Sequence, residues 1–201
     1  MPLLLWAIRA FAQHPRVGPI VVVLAPADAV APPEWLRALL SDRLLLAAGG
    51  EVRQQSVANG LDRVPPGPGL LLIHDAARPF VGRELIDRVL AVAERGEAAI
   101  PGLPLSDTVK ETDPAGLVLR TVPRERLVAV QTPQAFPRAM IEAAHQRASE
   151  GSETRAATDD GALCERLGYP VRIVAGSPRN IKITTAEDFA LAEALLAEVP
   201  A

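Results

Sequence analysis

Three uninterrupted apolar runs, each closed by a turn residue, constrain this chain more than anything else in it. They are GPIVVVLAP (18–26), RLLLAA (43–48) and GLLLIHDA (69–76). A strand with one wet face alternates apolar and polar residues. Runs without alternation predict strands covered on both faces, the hallmark of parallel sheets. Helical stretches fall between them. PPEWLRALLSD (32–42) reads as a helix with proline near its start, and Arg53 to Val64 as a helix with Val57 and Leu61 on one side. GRELIDRVLAVAERG (82–96) places Leu85, Ile86, Val89, Leu90 and Ala93 on one face, and a strand at 97–100 follows. This alternation predicts an α/β fold: a doubly wound, right-handed, mostly parallel, Rossmann-like sheet.

The rhythm breaks at SDTVKETDPAGLVLRTV (106–122), which reads as two strands around the turn Asp113-Pro114-Ala115-Gly116. A lone hairpin is marginal in water. This one is expected to lean on something else, and a second subunit is the natural candidate. Helices return at 137–150 and 158–167. VRIVAG and NIKIT read as short strands, 149–156 as a surface loop, and AEDFALAEALLAEV as a closing helix. No repeat or domain boundary is visible, so 1–201 is expected to be one domain with an arm at about 106–122.

Composition excludes several classes of function. A net charge of −3 gives no basic field for nucleic acid. No apolar run reaches the roughly 20 residues of a membrane helix, and MPLLLWAIRAF lacks the marks of a signal peptide. The single cysteine, Cys164, rules out an internal disulfide framework and fits a reducing cytoplasm.

Four clusters carry candidate chemistry, each at or just after a predicted strand's C-terminal end, where open α/β sheets bind ligands. In GGEVRQQSVANGL (49–61), two glycines let backbone approach a ligand and a helix N-terminus follows. Ser56 and Arg53 could touch a base or ribose there, although an ordinary strand-to-helix turn would look the same. In HDAARPF (74–80), Asp75 ends a buried strand and Arg78 follows three residues later. That pairing suits a metal–phosphate site, or a structural ion pair. His74 reads as a packing histidine. In LPLSDTVKET and VPRERLVAVQTPQAF, Thr108, Lys110, Arg124 and Arg126 offer donors to a phosphate monoester, with Lys110 and Arg126 better read as solvated. In ATDDGALCERLG, Thr158, Asp159 and Asp160 suit a helix cap. Lys182, between Ile181 and Ile183, is expected to face inward and to need an anion, either ligand phosphate or protein carboxylate.

Taken in order, GGEVRQQSVANGL, LLIHDAARPF, LPLSDTVKET, the run from Arg124 to TPQAF, ATDDGALCERLG and NIKITTAEDFALAEALL resemble the 2-C-methyl-D-erythritol 4-phosphate cytidylyltransferases of the non-mevalonate isoprenoid pathway. The likeness runs from about Pro2 to Leu196. It implies a nucleotidyltransferase sheet with a dimerisation arm at 106–122, and transfer of CMP from CTP to the sugar phosphate with loss of pyrophosphate. It implies nucleotide contacts at Gly50, Glu51, Ser56 and Ala76, with Gln55 standing where the family often has an acid. Substrate contacts are implied at Asp75, Arg78, Thr108, Arg124 and Thr158, with Thr108 and Arg124 reaching into a partner's site. Lys182 and Asp75 are the implied catalytic residues, Lys182 over the α-phosphate and Asp75 beside Mg²⁺. A homodimer is implied, and in a longer form a fusion to a cyclodiphosphate synthase. The related ribitol-5-phosphate cytidylyltransferases share part of the pattern. The family's first strand, arginine-bearing glycine-rich loop and Pro-Lys-Gln segment have no counterpart before MPLLLWAIRAF. A shortened form is therefore expected, with a central strand position left open. Its alternative role is a non-catalytic dimerising module.

Overall fold

The computed structural model describes residues 2–67, 69–151 and 157–197. The first apolar run forms β1 (Ile20–Leu24) and the second β2 (Leu44–Ala48), paired in parallel from Ile20↔Leu44 to Leu24↔Ala48. The third forms β3 (Leu70–Ile73). Its side chains divide between two layers. Leu71 and Ile73 pack into the cluster around Phe136, Met140 and Ile141, while Leu70 and Leu72 pack on the opposite side against Leu85, Val89 and Leu90. Burial on both faces is why this strand carries no alternation.

The helices supply those layers. α1 (Leu3–Ala12), which had no sequence assignment, and α5 (Arg83–Ala93) cover one face. α4 (Arg53–Leu61), α6 (Arg138–Glu150) and α7 (Asp160–Arg166) cover the other. Of the helix expected over 32–42, only α3 (Glu34–Arg37) forms, following α2 (Pro26–Val30). α8 (Ala186–Ala197) closes the described chain. The expected loop 149–156 begins in the last turn of α6, and its residues 152–156 lie outside the described residues.

The remaining strands depart from simple alternation. β4 (Ala98–Pro104) pairs in parallel with β9 (Val171–Ala175). β7 (Val128–Val130) and β8 (Gln134–Pro137) enter antiparallel, β8 lying between β3 and β4. So the α/β architecture holds, while two strands run against the expected direction. β8 was hidden in the sequence because its run, VAVQTPQAF, mixes prolines and glutamines with apolar residues. Its Ala135 and Phe136 are nevertheless fully buried, one facing each layer.

The hairpin forms as expected. β5 (Val109–Thr112) and β6 (Val118–Val122) make a separate two-stranded sheet. The Asp113 carboxylate accepts from the amides of Ala115 and Leu117, and Gly116 takes a left-handed φ of 86°. Leu117, Val118 and Leu119 are exposed.

Among the described residues, β1 pairs only with β2, and β3 only with β8. Between the two free edges lies a cavity of about 640 Å³, walled by Val21 and Val23 of β1, Leu70 and Leu72 of β3, Ile8 and Phe11 of α1, and Val57 of α4.

Candidate active site

The cavity opens at its upper end on Arg53, Ser56, Asp75 and Ala76, beyond the carboxyl ends of the strands. The loop after β2 is held by side chains of α4. The Gly50 amide donates to Ser56 Oγ at 3.0 Å, and the Glu51 amide donates to Gln55 Oε1 at 3.0 Å. Gln55 thus supplies the acceptor oxygen that a carboxylate would supply, so its departure from the family acid leaves this bond intact. A Cβ on Gly50 would lie 2.4 Å from the Gln55 side chain, so a larger residue here would displace Gln55 from its bond to the Glu51 amide.

After β3 the chain turns sharply, with the Arg78 amide donating to the Asp75 carbonyl. This turn gathers the expected cluster. Asp75 Oδ2 lies 3.1 Å from Lys182 Nζ and 3.7 Å from Arg78 Nε. Arg78 Nη1 donates to the Asn180 carbonyl at 2.8 Å, while its buried Nε has no hydrogen-bond partner among the described residues. Burial pulls the Arg78 pKa down, and Asp75 opposes that shift.

Lys182 reaches this cluster from a segment that is not a strand. NIKIT is irregular here, anchored by the Ile183 amide on the Ala77 carbonyl, with Ile183 buried. The lysine side chain is about half exposed and lies at the surface instead of in the core. The anion it meets is the carboxylate of Asp75.

Asp160 also departs from expectation. Asp159, not Thr158, caps α7, accepting from the Ala162 amide. Asp160 is almost fully buried and bonds Arg53 Nη2 at 2.6 Å and His145 Nε2 at 3.0 Å. Burial alone would raise its pKa, but His145 and Arg53 hold it below the usual carboxylate range. Burial likewise opposes the Arg53 charge, yet Asp160, with Asp75 and Asp159 farther off, raises its pKa. Arg53 therefore ties the start of α4 to the start of α7 beside the cleft.

Thr158 is exposed just ahead of α7. Thr108 and Arg124 are exposed beside the hairpin, where Arg124 Nη1 donates to the Ser106 carbonyl. Among the described residues, no hydrogen bond or ion pair joins either to Asp75, Arg78 or Lys182. Burial pushes the Cys164 thiol up to about 12, so it stays protonated. His74 packs edge-on against Phe11, as expected of a packing histidine, but also makes two hydrogen bonds. Burial lowers its pKa to about 4.

The sequence reading gave no role to Gln131, Thr132, Gln134 or Asn180, all of them buried. Their signal was a run of polar side chains at the edge of apolar strands, where each must find a partner.

No helix of the described residues is long and apolar enough to cross a membrane. A family model described as 2-C-methyl-D-erythritol 4-phosphate cytidylyltransferase matches residues 1–198. The chain is 47% identical to a bifunctional enzyme IspD/IspF of Solidesulfovibrio magneticus, over 99% of this chain and 50% of that protein. It is 43% identical to a 2-C-methyl-D-erythritol 4-phosphate cytidylyltransferase of Streptomyces coelicolor, over 98% of this chain and 74% of that protein. The chain thus spans half the length of the bifunctional relative and about three quarters of the other. Among solved structures, the cytidylyltransferase of Thermus thermophilus superposes with a TM-score of 0.82 at 39% identity, covering 97% of this chain and 89% of that one. The 4-diphosphocytidyl-2C-methyl-D-erythritol synthase of Anaerococcus prevotii does so with a TM-score of 0.87 at 28% identity, covering 98% and 87%.

Proposed function

The chain belongs to the 2-C-methyl-D-erythritol 4-phosphate cytidylyltransferase family, and from that premise we propose that it transfers CMP from CTP to 2-C-methyl-D-erythritol 4-phosphate at the Asp75–Arg78–Lys182 cluster. The carrying observation is that cluster itself: two cations within 3.7 Å of one carboxylate at the tip of a strand, the carboxylate lining the cavity. A phosphate oxygen of the sugar phosphate attacks the α-phosphorus of CTP. The bond to the β-phosphate oxygen breaks, and pyrophosphate leaves with the electron pair. The nucleophile is already anionic at neutral pH, so the protein's task is alignment and charge neutralisation. Lys182 exchanges its bond with Asp75 for the α-phosphate. Arg78 and Arg53 add positive charge nearby. Gly50, Glu51, Ser56 and Ala76 border the nucleoside, and Thr158 borders the sugar phosphate.

As a class, CTP-using nucleotidyltransferases work with a divalent cation. Among the described residues no group of three acidic, histidine or cysteine side chains could cage one. Asp75 alone fits Mg²⁺ held mostly by the nucleotide's own phosphates. When bound, the ion supplies positive charge to those oxygens. Thr108 and Arg124, which make no bond to this cluster among the described residues, belong to the reading in which the arm at 106–122 delivers them to the partner's site in a homodimer. The family match does not favour ribitol 5-phosphate as substrate or a purely non-catalytic role. The bifunctional relatives make a fusion to a second enzyme domain part of the same reading.

The test is a coupled assay of pyrophosphate release from CTP. Release should depend on the methylerythritol phosphate and exceed that with ribitol 5-phosphate. Faster turnover of ribitol 5-phosphate would overturn the substrate assignment. Lys182→Ala should lower kcat by about 10²–10³-fold, the usual effect of losing one preorganised charge at a transition state. Substrate binding by calorimetry should change only a few-fold, and an unchanged kcat would remove Lys182 from the mechanism.

A further inference from the structure

Asp75, Arg78 and Lys182 come from a turn and an irregular segment, neither braced by a strand ladder, so something else must fix them. The hydrogen bonds close into a ring. The Asp75 amide donates to Thr132 Oγ1 at 3.0 Å. Thr132 Oγ1 lies 3.0 Å from His74 Nδ1, and His74 Nε2 lies 2.9 Å from the Arg78 carbonyl. The Arg78 amide returns to the Asp75 carbonyl at 2.9 Å. A carbonyl only accepts, so His74 Nε2 carries the proton. Nδ1 is then the acceptor, and the Thr132 hydroxyl donates to it while receiving from Asp75. Every donor in the ring thus faces an acceptor. The same threonine extends the bracing to the lysine segment. Asn180 Nδ2 donates to the Thr132 carbonyl at 2.7 Å, and the Asn180 carbonyl accepts from Arg78 Nη1. Lys182 follows two residues later.

We propose that Thr132 and His74 are positioning residues of this site. Through the ring joining the Asp75 amide, the Thr132 hydroxyl, the His74 imidazole and the Arg78 carbonyl, they hold the Asp75–Arg78 turn in its phosphate-facing shape. The inference rests on the function proposed above. The role assigned to each side chain is exercised through these hydrogen bonds and not through a contact with substrate. Thr132 is buried, so replacing its hydroxyl with a methyl group leaves the packing volume nearly unchanged and deletes two hydrogen bonds. A displacement of about 1 Å in a charge aligned on a reacting phosphate can cost about 10²-fold in rate.

The experiment compares Thr132→Val, Thr132→Ser, His74→Asn and Lys182→Ala in the full chain. Thr132→Val is expected to lower kcat roughly 10–100-fold with KM for both substrates within about threefold. Thr132→Ser, which keeps the hydroxyl, should restore kcat to within about threefold of the parent. His74→Asn keeps an acceptor near the Nδ1 position but loses the donor to the Arg78 carbonyl, so its kcat should fall between those of the parent and Thr132→Val. It also serves as the second reading should Thr132→Val fail to fold. Nitrogen-15 spectra of the His74 ring should show the neutral Nε2–H tautomer in the parent, and a shifted Nδ1 in Thr132→Val but not in Thr132→Ser. A proton found on Nδ1 overturns the ring, as does a kcat for Thr132→Val, or for His74→Asn if only that variant folds, within twofold of the parent. If Lys182→Ala also keeps its rate, the proposed site itself is at fault. If only Lys182→Ala collapses, the site stands and the positioning role falls.

Discussion

In the proposed function Asp75 is asked to be two things, partner to Lys182 now and partner to a cation when nucleotide arrives, and its neighbours make that exchange cheap. Lys182 is half exposed, so leaving Asp75 costs little desolvation. His74 stays neutral beside it. Its folded pKa of about 4 lies below the ordinary 6.5, because the buried ring resists charging. Between those values the unfolded chain binds a proton that the folded chain refuses. Stability should therefore be full above pH 6.5 and fall as pH drops towards 4. His74→Asn removes the titrating group, so the slope of Tm against pH should flatten over this window. An identical slope in that variant would assign the acid sensitivity elsewhere. Asp160 acts lower on the scale. Its depressed pKa contributes stability above the ordinary carboxylate range that is lost as pH falls through the lower folded value. Asp75, Arg78 and Lys182 were legible in the sequence because each is a charge beside apolar residues, where only function or pairing explains it. Asp160 was not. Next to Asp159 it reads as a second capping residue, and only the fold shows it aimed inward at Arg53 and His145, partners 107 and 15 residues away.

At the scale of elements, local pattern succeeded where one element decides its own burial. α5 announces its buried face through periodicity, and β1 to β3 through uninterrupted apolar runs. It failed where a neighbour decides. β8 is central because β3 and β4 flank it, and its Gln134 is buried because it bonds Asp159 and the Gly161 amide. NIKIT has a strand's composition but no ladder to join, and β4's edge is already taken by β9. The hairpin of β5 and β6 is the element whose form was legible and whose purpose, in the function proposed above, lies outside one chain. Leu117, Val118 and Leu119 are more than half exposed in or beside a two-stranded sheet that joins neither of the other sheets. In the homodimer reading that surface meets a partner. The parent should run as a dimer in light scattering, and Leu117→Ser with Leu119→Ser as a monomer. Because the hairpin is a sheet of its own, the double variant should keep a Tm near the parent's while turnover of the sugar phosphate falls, since Arg124 no longer reaches a second site. A monomeric parent, or a dimer that survives both substitutions, would overturn the arm's assignment.

Across the whole molecule, the main discontinuity lies between β1 and β3, where two strand edges border a cavity of about 640 Å³. Apolar walls alone would suit many ligands, but backbone edges narrow the choice. Unpaired amide and carbonyl groups facing a water-poor space are costly, and another strand satisfies both rows at once. The flanking helices α1 and α4 both line the cavity, and α1 packs with residues on both sides of the gap, Val22 on one and Leu85 on the other. An extended peptide of about six residues, rich in valine and isoleucine and blocked at both ends, should therefore bind there. At ~100 times its Kd it should add about 2.7 kcal/mol of stability, read as a saturable Tm rise of roughly 5–10 °C. The amides of Val21, Val23, Leu70 and Leu72 should gain protection from hydrogen exchange together, because one strand pairs both edges. A proline-substituted peptide of equal hydropathy cannot complete the ladder and should give neither effect. Equal stabilisation by the two peptides would mean that the cavity takes greasy matter without forming a strand. No shift with either would mean that α1 and the two edges close over the gap in solution.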